Sequence, residues 1–320
     1  MEDFPRTIAE LEAHFSTEEA CRIYLFALRW PNGFHCPRCD NTKAWPVRDV
    51  LFQCGSCGYQ TSVIAGTIFE NTHKPLVMWF RAIWWVVTQK NGASALGLKR
   101  VLGLGSYKTA WSWLHKIRRA MVRPGRDRLS GRVEVDETFL GGPEEGVRGR
   151  QTFKKALVVV AAEEKGKAIG RIRMLRIPDA SAINLRSFIL QAIEPGSTIV
   201  TDGWEGYTGL EAHGYTHEIR VAKEFPKELA LKLLPRVHRV VSLLKRWVLG
   251  THQGAVSSEH LDYYLDEFTF RFNRRTSQHR GKLFYRLLQQ AMAVKPVPYS
   301  AMIKHVRGPG TKKTQDIVGT

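Results

Sequence analysis

The sequence is short of acid. Its 30 Asp and Glu stand against 48 Lys and Arg, a formal net charge of +18, which argues against a surface made for cations or basic partners and points to a polyanion. Long apolar runs are also missing: the most hydrophobic stretch, Leu76 to Val87, is interrupted by Arg81 and is too short to cross a bilayer. The opening Met-Glu-Asp-Phe-Pro-Arg lacks the basic start and apolar stretch of a secretory signal. A cytoplasmic protein with no membrane partner is the expectation. Cysteine is scarce and odd in number: there are five, four of them within 22 residues, which makes a disulfide framework a poor reading and a metal site a good one. No repeat of solenoid period occurs. What is present, 43% hydrophobic and 24% charged residues over 320, excludes wholesale disorder and leaves room for a core domain with one or two small modules.

Apolar spacing predicts two short helices within residues 1–33, over Thr7 to Leu28, with Ser16 as the cap between them and Cys21 packed in a core. Residues 34–62 are rich in Cys, Gly, Pro and Asn, with short β pieces at Ala44 to Val47 and Leu51 to Gln53. The pattern over 75–121 is helical and aromatic, and Pro124, Gly125 and Gly131 mark 122–131 as a linker. Beyond it, Arg132 to Thr138, Ala156 to Ala162, Ile169 to Ile177 and Ser197 to Asp202 read as strands, with a helix over Ser181 to Ala192. Helices are expected from Pro235, a good first-turn residue, and over Ser258 to Arg271. The order predicts an α/β domain, a mixed sheet with helices, over 132–275, followed by a basic tail over 276–320.

Cys36-Pro-Arg-Cys39 and Cys54-Gly-Ser-Cys57 are two Cys-x-x-Cys turns separated by 14 residues. Each turn aims two thiolates at one point, and a hairpin between them closes a tetrahedral site. Four thiolates select zinc, and a site closed by four protein ligands is structural rather than catalytic.

Ser94 to Arg119 reads as helix, glycine turn, helix, with Ser106 as a plausible N-cap for the second helix. Ten basic residues and a single acid, Asp127, fall between Lys99 and Arg132. A helix-turn-helix laid on DNA fits this pattern, with Lys108, Lys116, Arg118 and Arg119 as contacts; a solvated helical face followed by a charged linker fits it too.

Acids on apolar strands need a reason in so basic a chain. Val133-Glu-Val-Asp136-Glu-Thr-Phe puts Asp136 near the end of an alternating strand, and Thr198-Ile-Val-Thr-Asp202-Gly-Trp puts Asp202 where another strand ends at a glycine. Carboxylates at the ends of neighbouring strands can share divalent cations that act on a phosphodiester. Farther on, His238 and Lys245 lie seven residues apart, on one helical face.

With these in view the chain resembles the ISXO group of bacterial insertion-sequence transposases. The resemblance rests on Val133-Glu-Val-Asp-Glu-Thr-Phe-Leu-Gly-Gly142, Thr201-Asp-Gly-Trp-Glu-Gly-Tyr207, His238-Arg-Val-Val-Ser-Leu-Leu-Lys-Arg-Trp247, Gly250-Thr-His252 and Tyr264 to Arg275, in the family's order over about residues 10–280. It implies a DDE-type enzyme with an RNase H-like catalytic core, an N-terminal zinc ribbon and a helical DNA-binding segment. Asp136 and Asp202 become the first two ligands of catalytic Mg²⁺ or Mn²⁺. His238 stands where such enzymes usually have Glu, with Glu259, Asp266 and Glu267 the next candidates for a third ligand. Lys245, with Arg246 beside it, becomes a DNA contact. The implied function is binding of an element's terminal inverted repeats, metal-dependent hydrolysis and strand transfer into target DNA, by a homo-oligomer acting on the nucleoid of a prokaryote. Two other readings share these features: a catalytically inactive, transposase-derived DNA-binding regulator, and a structure-specific nuclease without strand transfer.

Overall fold

A computed structural model describes residues 4–48, 50–123, 125–141, 155–221, 233–252 and 258–303. Gly142 of the first motif and the tail basic residues from Lys304 onward lie outside them. The chain divides into two compact units, Met1–Pro124 with Thr276–Met302, and Gly125–Arg275 with Ile303–Thr320.

In the first unit, α1 (Ile8–His14) and α2 (Glu18–Arg29) are capped by threonines: Thr7 Oγ1 accepts from the Glu10 N–H, and Thr17 Oγ1 from the Ala20 N–H, each at 3.1 Å. The cap between the helices is therefore Thr17 and not Ser16, because Thr17 is the last residue with extended backbone before α2. Cys21 is fully buried, and burial pushes its thiol up to about 12. Strands β1 (Ala44–Val47), β2 (Leu51–Cys54) and β3 (Gln60–Ser62) form an antiparallel sheet in that order. Then come α3 (Leu76–Thr88), α4 (Ala95–Val101) and α5 (Tyr107–Ala120). The α4 cap is Ser94, whose Oγ accepts from the Gly97 N–H at 3.0 Å. Ser106 is the N-cap residue of α5 by backbone geometry, without a side-chain cap bond.

The second unit is built on five strands, β4 (Arg132–Leu140), β5 (Ala156–Lys165), β6 (Ala168–Ile177), β7 (Thr198–Thr201) and β8 (Thr216–Ile219), in spatial order β6-β5-β4-β7-β8. The first three pair antiparallel, and β4-β7 and β7-β8 pair parallel. An antiparallel meander whose first strand is joined by parallel strands after a crossover helix, α6 (Ala182–Ala192), is the RNase H-like arrangement. Strand alternation divides the core in two. Val133, Val135, Val159 and Ala161 pack on Leu185, Phe188 and Ile189 of α6. On the other face, Val158, Val160 and Ala162 pack on Val237, Val240 and Leu244 of α7 (Pro235–His252) and on Leu261, Leu265 and Phe268 of α8 (Leu261–Asn273).

Residues 125–131 are held to this unit. Leu129 bridges to Ile193, the Leu129 N–H donates to Ala192 O at 2.7 Å, and Arg173 donates to the Asp127 carbonyl at 2.5 Å. After α8 the chain rejoins the first unit. There α9 (Arg280–Ala293) turns Leu283, Phe284, Leu287, Leu288 and Ala291 inward, Phe284 meeting Phe80 and Trp84 with ring centroids 5.7 Å away. A short α10 (Tyr299–Ile303) follows. The segment expected as a basic tail thus includes a core helix, because its apolar residues recur at helical spacing between its charges.

Candidate functional site

The four thiols of the ribbon converge. Cys36, Cys39, Cys54 and Cys57 place their Sγ atoms within 4.8 Å of one another, with Cys36 to Cys57 at 3.7 Å and Cys39 to Cys54 at 3.5 Å. Tetrahedral zinc with bonds of about 2.3 Å separates its sulfurs by roughly 3.8 Å, so the residues fit that ion. Backbone N–H groups of Cys57 and Ser56 directed at Cys54 lower its thiol, while the neighbouring thiols raise that of Cys39, so that without a metal the four sulfurs share their protons unequally. The knuckles do not stand alone: Phe52 of β2 lies 5.1 Å from Phe26 of α2 and 6.0 Å from Trp30 and Phe34, and Arg29 donates to the carbonyls of Ser62 and Val63 at 3.2 and 2.6 Å.

In the second unit, the parallel register pairs Val133 with Ile199 and Glu134 with Val200. Carried two residues further it sets Asp136 abreast of Asp202, just past the end of β7, on strands about 4.8 Å apart. Asp136 pairs with Val160 of β5, so it faces the α7 side of the sheet. There His238 of α7 directs Nε2 to Asp136 Oδ2 at 3.4 Å. Asp136 Oδ1 accepts from the Glu137 N–H at 2.8 Å. Asp202 is exposed and its Oδ1 accepts from the Trp204 N–H at 3.0 Å; Gly203, at φ +86°, makes the tight turn that allows this. Among the described residues, only the cysteines bring three or more His, Cys, Asp or Glu ligand atoms all within 4.8 Å of one another. Asp136, Asp202 and His238 do not form so close a set; carboxylate oxygens such as those of the two aspartates are the donors that hard divalent cations take.

Three residues beside this set were not singled out by sequence reasoning. Glu134, fully buried, accepts the backbone N–H groups of Arg236 and Val237 in the first turn of α7. Glu137 points to the opposite face, where the buried Tyr207 hydroxyl donates to its Oε2 at 2.8 Å. Burial, and then the charges of Glu137, Asp136 and Asp202, hold that hydroxyl well above the ordinary phenol range, so it stays a donor. An acid on the apolar side of an alternating strand, in step with Val133, Val135 and Phe139, was the available signal for Glu137. The partners of Glu134 are distant in sequence and left none.

Lys245 and Arg246 are exposed on α7. Of the other third-ligand candidates, Glu267 is fully buried and paired with Arg271 at 2.8 Å, and the charge of Asp266 acts on the half-buried Arg126. In the basic helical segment, Lys108 is exposed, with its ammonium 4.2 Å from the Tyr299 ring centre, and Arg119 is half-buried. Lys116 is half-buried near Trp79, and burial lowers its pKa. Arg118 corrects the expectation of a DNA contact: it is 2% exposed and donates to the Ala93 carbonyl at 3.1 Å, because it lies on the side of α5 that faces the core with Leu114 and Ile117. What α5 exposes is its start, Ser106 to Lys108.

Residues 128–273 match the ISXO2-like transposase domain, and residues 16–60 the transposase zinc-ribbon domain. A protein of the transposable element ISH50 of Halobacterium salinarum is 26% identical over 276 residues, covering 80% of this chain and 91% of its own length. Among solved structures, a pre-cleavage Mos1 transpososome is 12% identical, covering 67% of this chain and 78% of its own with a TM-score of 0.27. The Mos1 strand transfer complex is 13% identical, covering 70% and 77% with a TM-score of 0.28. No helix among the described residues is long and apolar enough to cross a membrane.

Proposed function

We propose that this chain, which carries an ISXO2-like transposase domain behind a transposase zinc ribbon, binds the terminal inverted repeats of its own element as a homo-oligomer, hydrolyses a phosphodiester at each end and joins the freed 3′-hydroxyl to target DNA. The observation that supports this reading is the parallel pairing of β4 with β7, which brings the chain segments bearing Asp136 and Asp202 side by side, together with the 3.4 Å approach of His238 to Asp136. Mg²⁺ or Mn²⁺ held by these three residues would supply Lewis acidity at the phosphate and activate first water and then the 3′-hydroxyl. Asp136 gives its oxygens from within β4 and Asp202 from just past the end of β7, and His238 adds a nitrogen from the half-exposed side of α7, next to the face packed on the sheet. Lys245, two turns beyond His238, and Arg246 meet the phosphates flanking the reacting one. No protein nucleophile is required. The zinc ribbon and the exposed start of α5, with Lys108, supply the grip on the element ends.

One observation favours the rival reading of an inactive DNA-binding regulator, namely the imidazole in the place of a third carboxylate. Incubating the protein with DNA bearing the element's terminal repeat, target DNA and Mg²⁺ or Mn²⁺ separates the alternatives. Nicked and joined products are expected. Nicked product alone would make it a nuclease without strand transfer, and bound but intact DNA would make it a regulator.

A further inference from the structure

Strand β4 carries three carboxylates within four residues, Glu134, Asp136 and Glu137. Glu134 is 1% exposed, a costly place for a charge unless its oxygens are satisfied. They are. Oε2 accepts the Arg236 and Val237 N–H groups at 2.7 and 3.0 Å, and Oε1 accepts from Arg236 Nη1 at 3.0 Å. Arg236 in turn reaches Glu164 at 2.8 Å and the Gly166 carbonyl at 2.9 Å. A carboxylate from the sheet thus does for α7 what a local N-cap does for other helices, accepting two orphan N–H groups and opposing the positive end of the dipole. Because the bond runs from strand to helix, it also fixes the height and rotation of α7 against β4. Two residues beyond Glu134 is Asp136; two beyond Arg236 is His238; and these two meet at 3.4 Å.

We propose that Glu134 is a positioning residue for the metal-binding set, holding the first turn of α7 so that His238 faces Asp136. It is not itself a ligand, since both of its oxygens are engaged. The inference rests on the reading of His238 as a ligand, and it adds a residue that acts through His238.

Two measurements on the full chain test it. Without metal, amide hydrogen exchange at Arg236 and Val237 should quicken by about tenfold or more in Glu134→Gln, because the amide keeps the volume but loses the charged acceptor. Cleavage of terminal-repeat DNA is then compared in Glu134→Gln, His238→Ala and the double variant. Glu134→Gln is expected to slow cleavage on the order of 10- to 100-fold, as loss of a ligand-orienting partner does, with DNA affinity unchanged and the double variant no slower than His238→Ala. Losses that multiply in the double variant, or unchanged exchange and cleavage in Glu134→Gln, would overturn the proposal. Should Glu134→Gln fail to fold, Glu134→Asp, which keeps the charge and shortens the reach, enters the same comparison with the same criteria. Full activity in His238→Ala would overturn the ligand reading itself, an outcome distinct from a slow His238→Ala whose loss multiplies with that of Glu134→Gln.

Discussion

Single residues of like charge have unlike duties here, and exposure separates them. Arg118 and Lys108 both sit on α5, yet Arg118 is buried against the Ala93 carbonyl while Lys108 is exposed at the helix start. Arg118→Ala should therefore lower stability by roughly 1–3 kcal/mol through the lost charged hydrogen bond, and leave the salt dependence of DNA binding unchanged. Lys108→Ala should leave the melting temperature in place and reduce the slope of log affinity against log salt by about one. Thermal melts and binding titrations at several salt concentrations on both variants check the pair; a reduced slope in Arg118→Ala would contradict the assignment. The difference between them was hidden in the sequence because charge was read along the chain rather than around the helix. Placing Arg118 with Leu114 and Ile117 on one helical face reveals it.

Among the elements, the three-stranded ribbon is held by its metal ligands and an aromatic cluster, and the edge strand β8 by an ion pair to β4. The ribbon has its thiols set for zinc and an aromatic cluster, Phe26, Trp30, Phe34 and Phe52, that joins it to α2. Cys54→Ser should lose zinc, by elemental analysis, and unfold β1 to β3, while the five-stranded sheet keeps its protection in hydrogen exchange. Zinc retained at one equivalent would contradict a four-cysteine site. On β8, the hydrogen bond from Arg132 pulls the Glu218 carboxyl down from 4.5 to about 2. A depressed carboxyl contributes stability above its unfolded pKa and loses it as pH falls through the folded one, so this contribution fades between about pH 4.5 and 2. Glu218 is partly exposed, so the effect is screened. Glu218→Gln should be less stable than the wild type near neutral pH and should converge on it toward pH 2 in urea melts. A constant difference across that window would contradict the linkage.

The elements also show how far the sequence could be read. The cysteine knuckles, the strand that stops before Asp202 and the helix starting at Pro235 were legible, because each carries its cause locally: ligand spacing, a strand halted at a glycine, a first-turn proline; Asp136, expected near a strand end, instead lies in the middle of β4, which pairs with β5 as far as Leu140. The packing of α9 was obscured by Arg280, Lys282 and Arg286, although Leu283, Phe284, Leu287, Leu288 and Ala291 keep the helical period beneath them. The role of Glu134 depends on Arg236 and Val237, about a hundred residues away, a pairing that no local pattern encodes.

At the scale of the whole molecule, the charge of +18 requires that binding to DNA release counterions, so affinity should fall steeply as salt rises. That charge brings the chain to DNA but performs no chemistry, which belongs to a few acids on one sheet. The two should therefore separate cleanly by mutation. The most direct measurement follows terminal-repeat DNA with Mg²⁺ or Mn²⁺ in the wild type, Asp136→Ala and Asp202→Ala, recording DNA affinity, nicked product and joined product for each. The account predicts equal affinity in all three proteins, with nicking and joining in the wild type alone. Nicked or joined product from either alanine variant would contradict it.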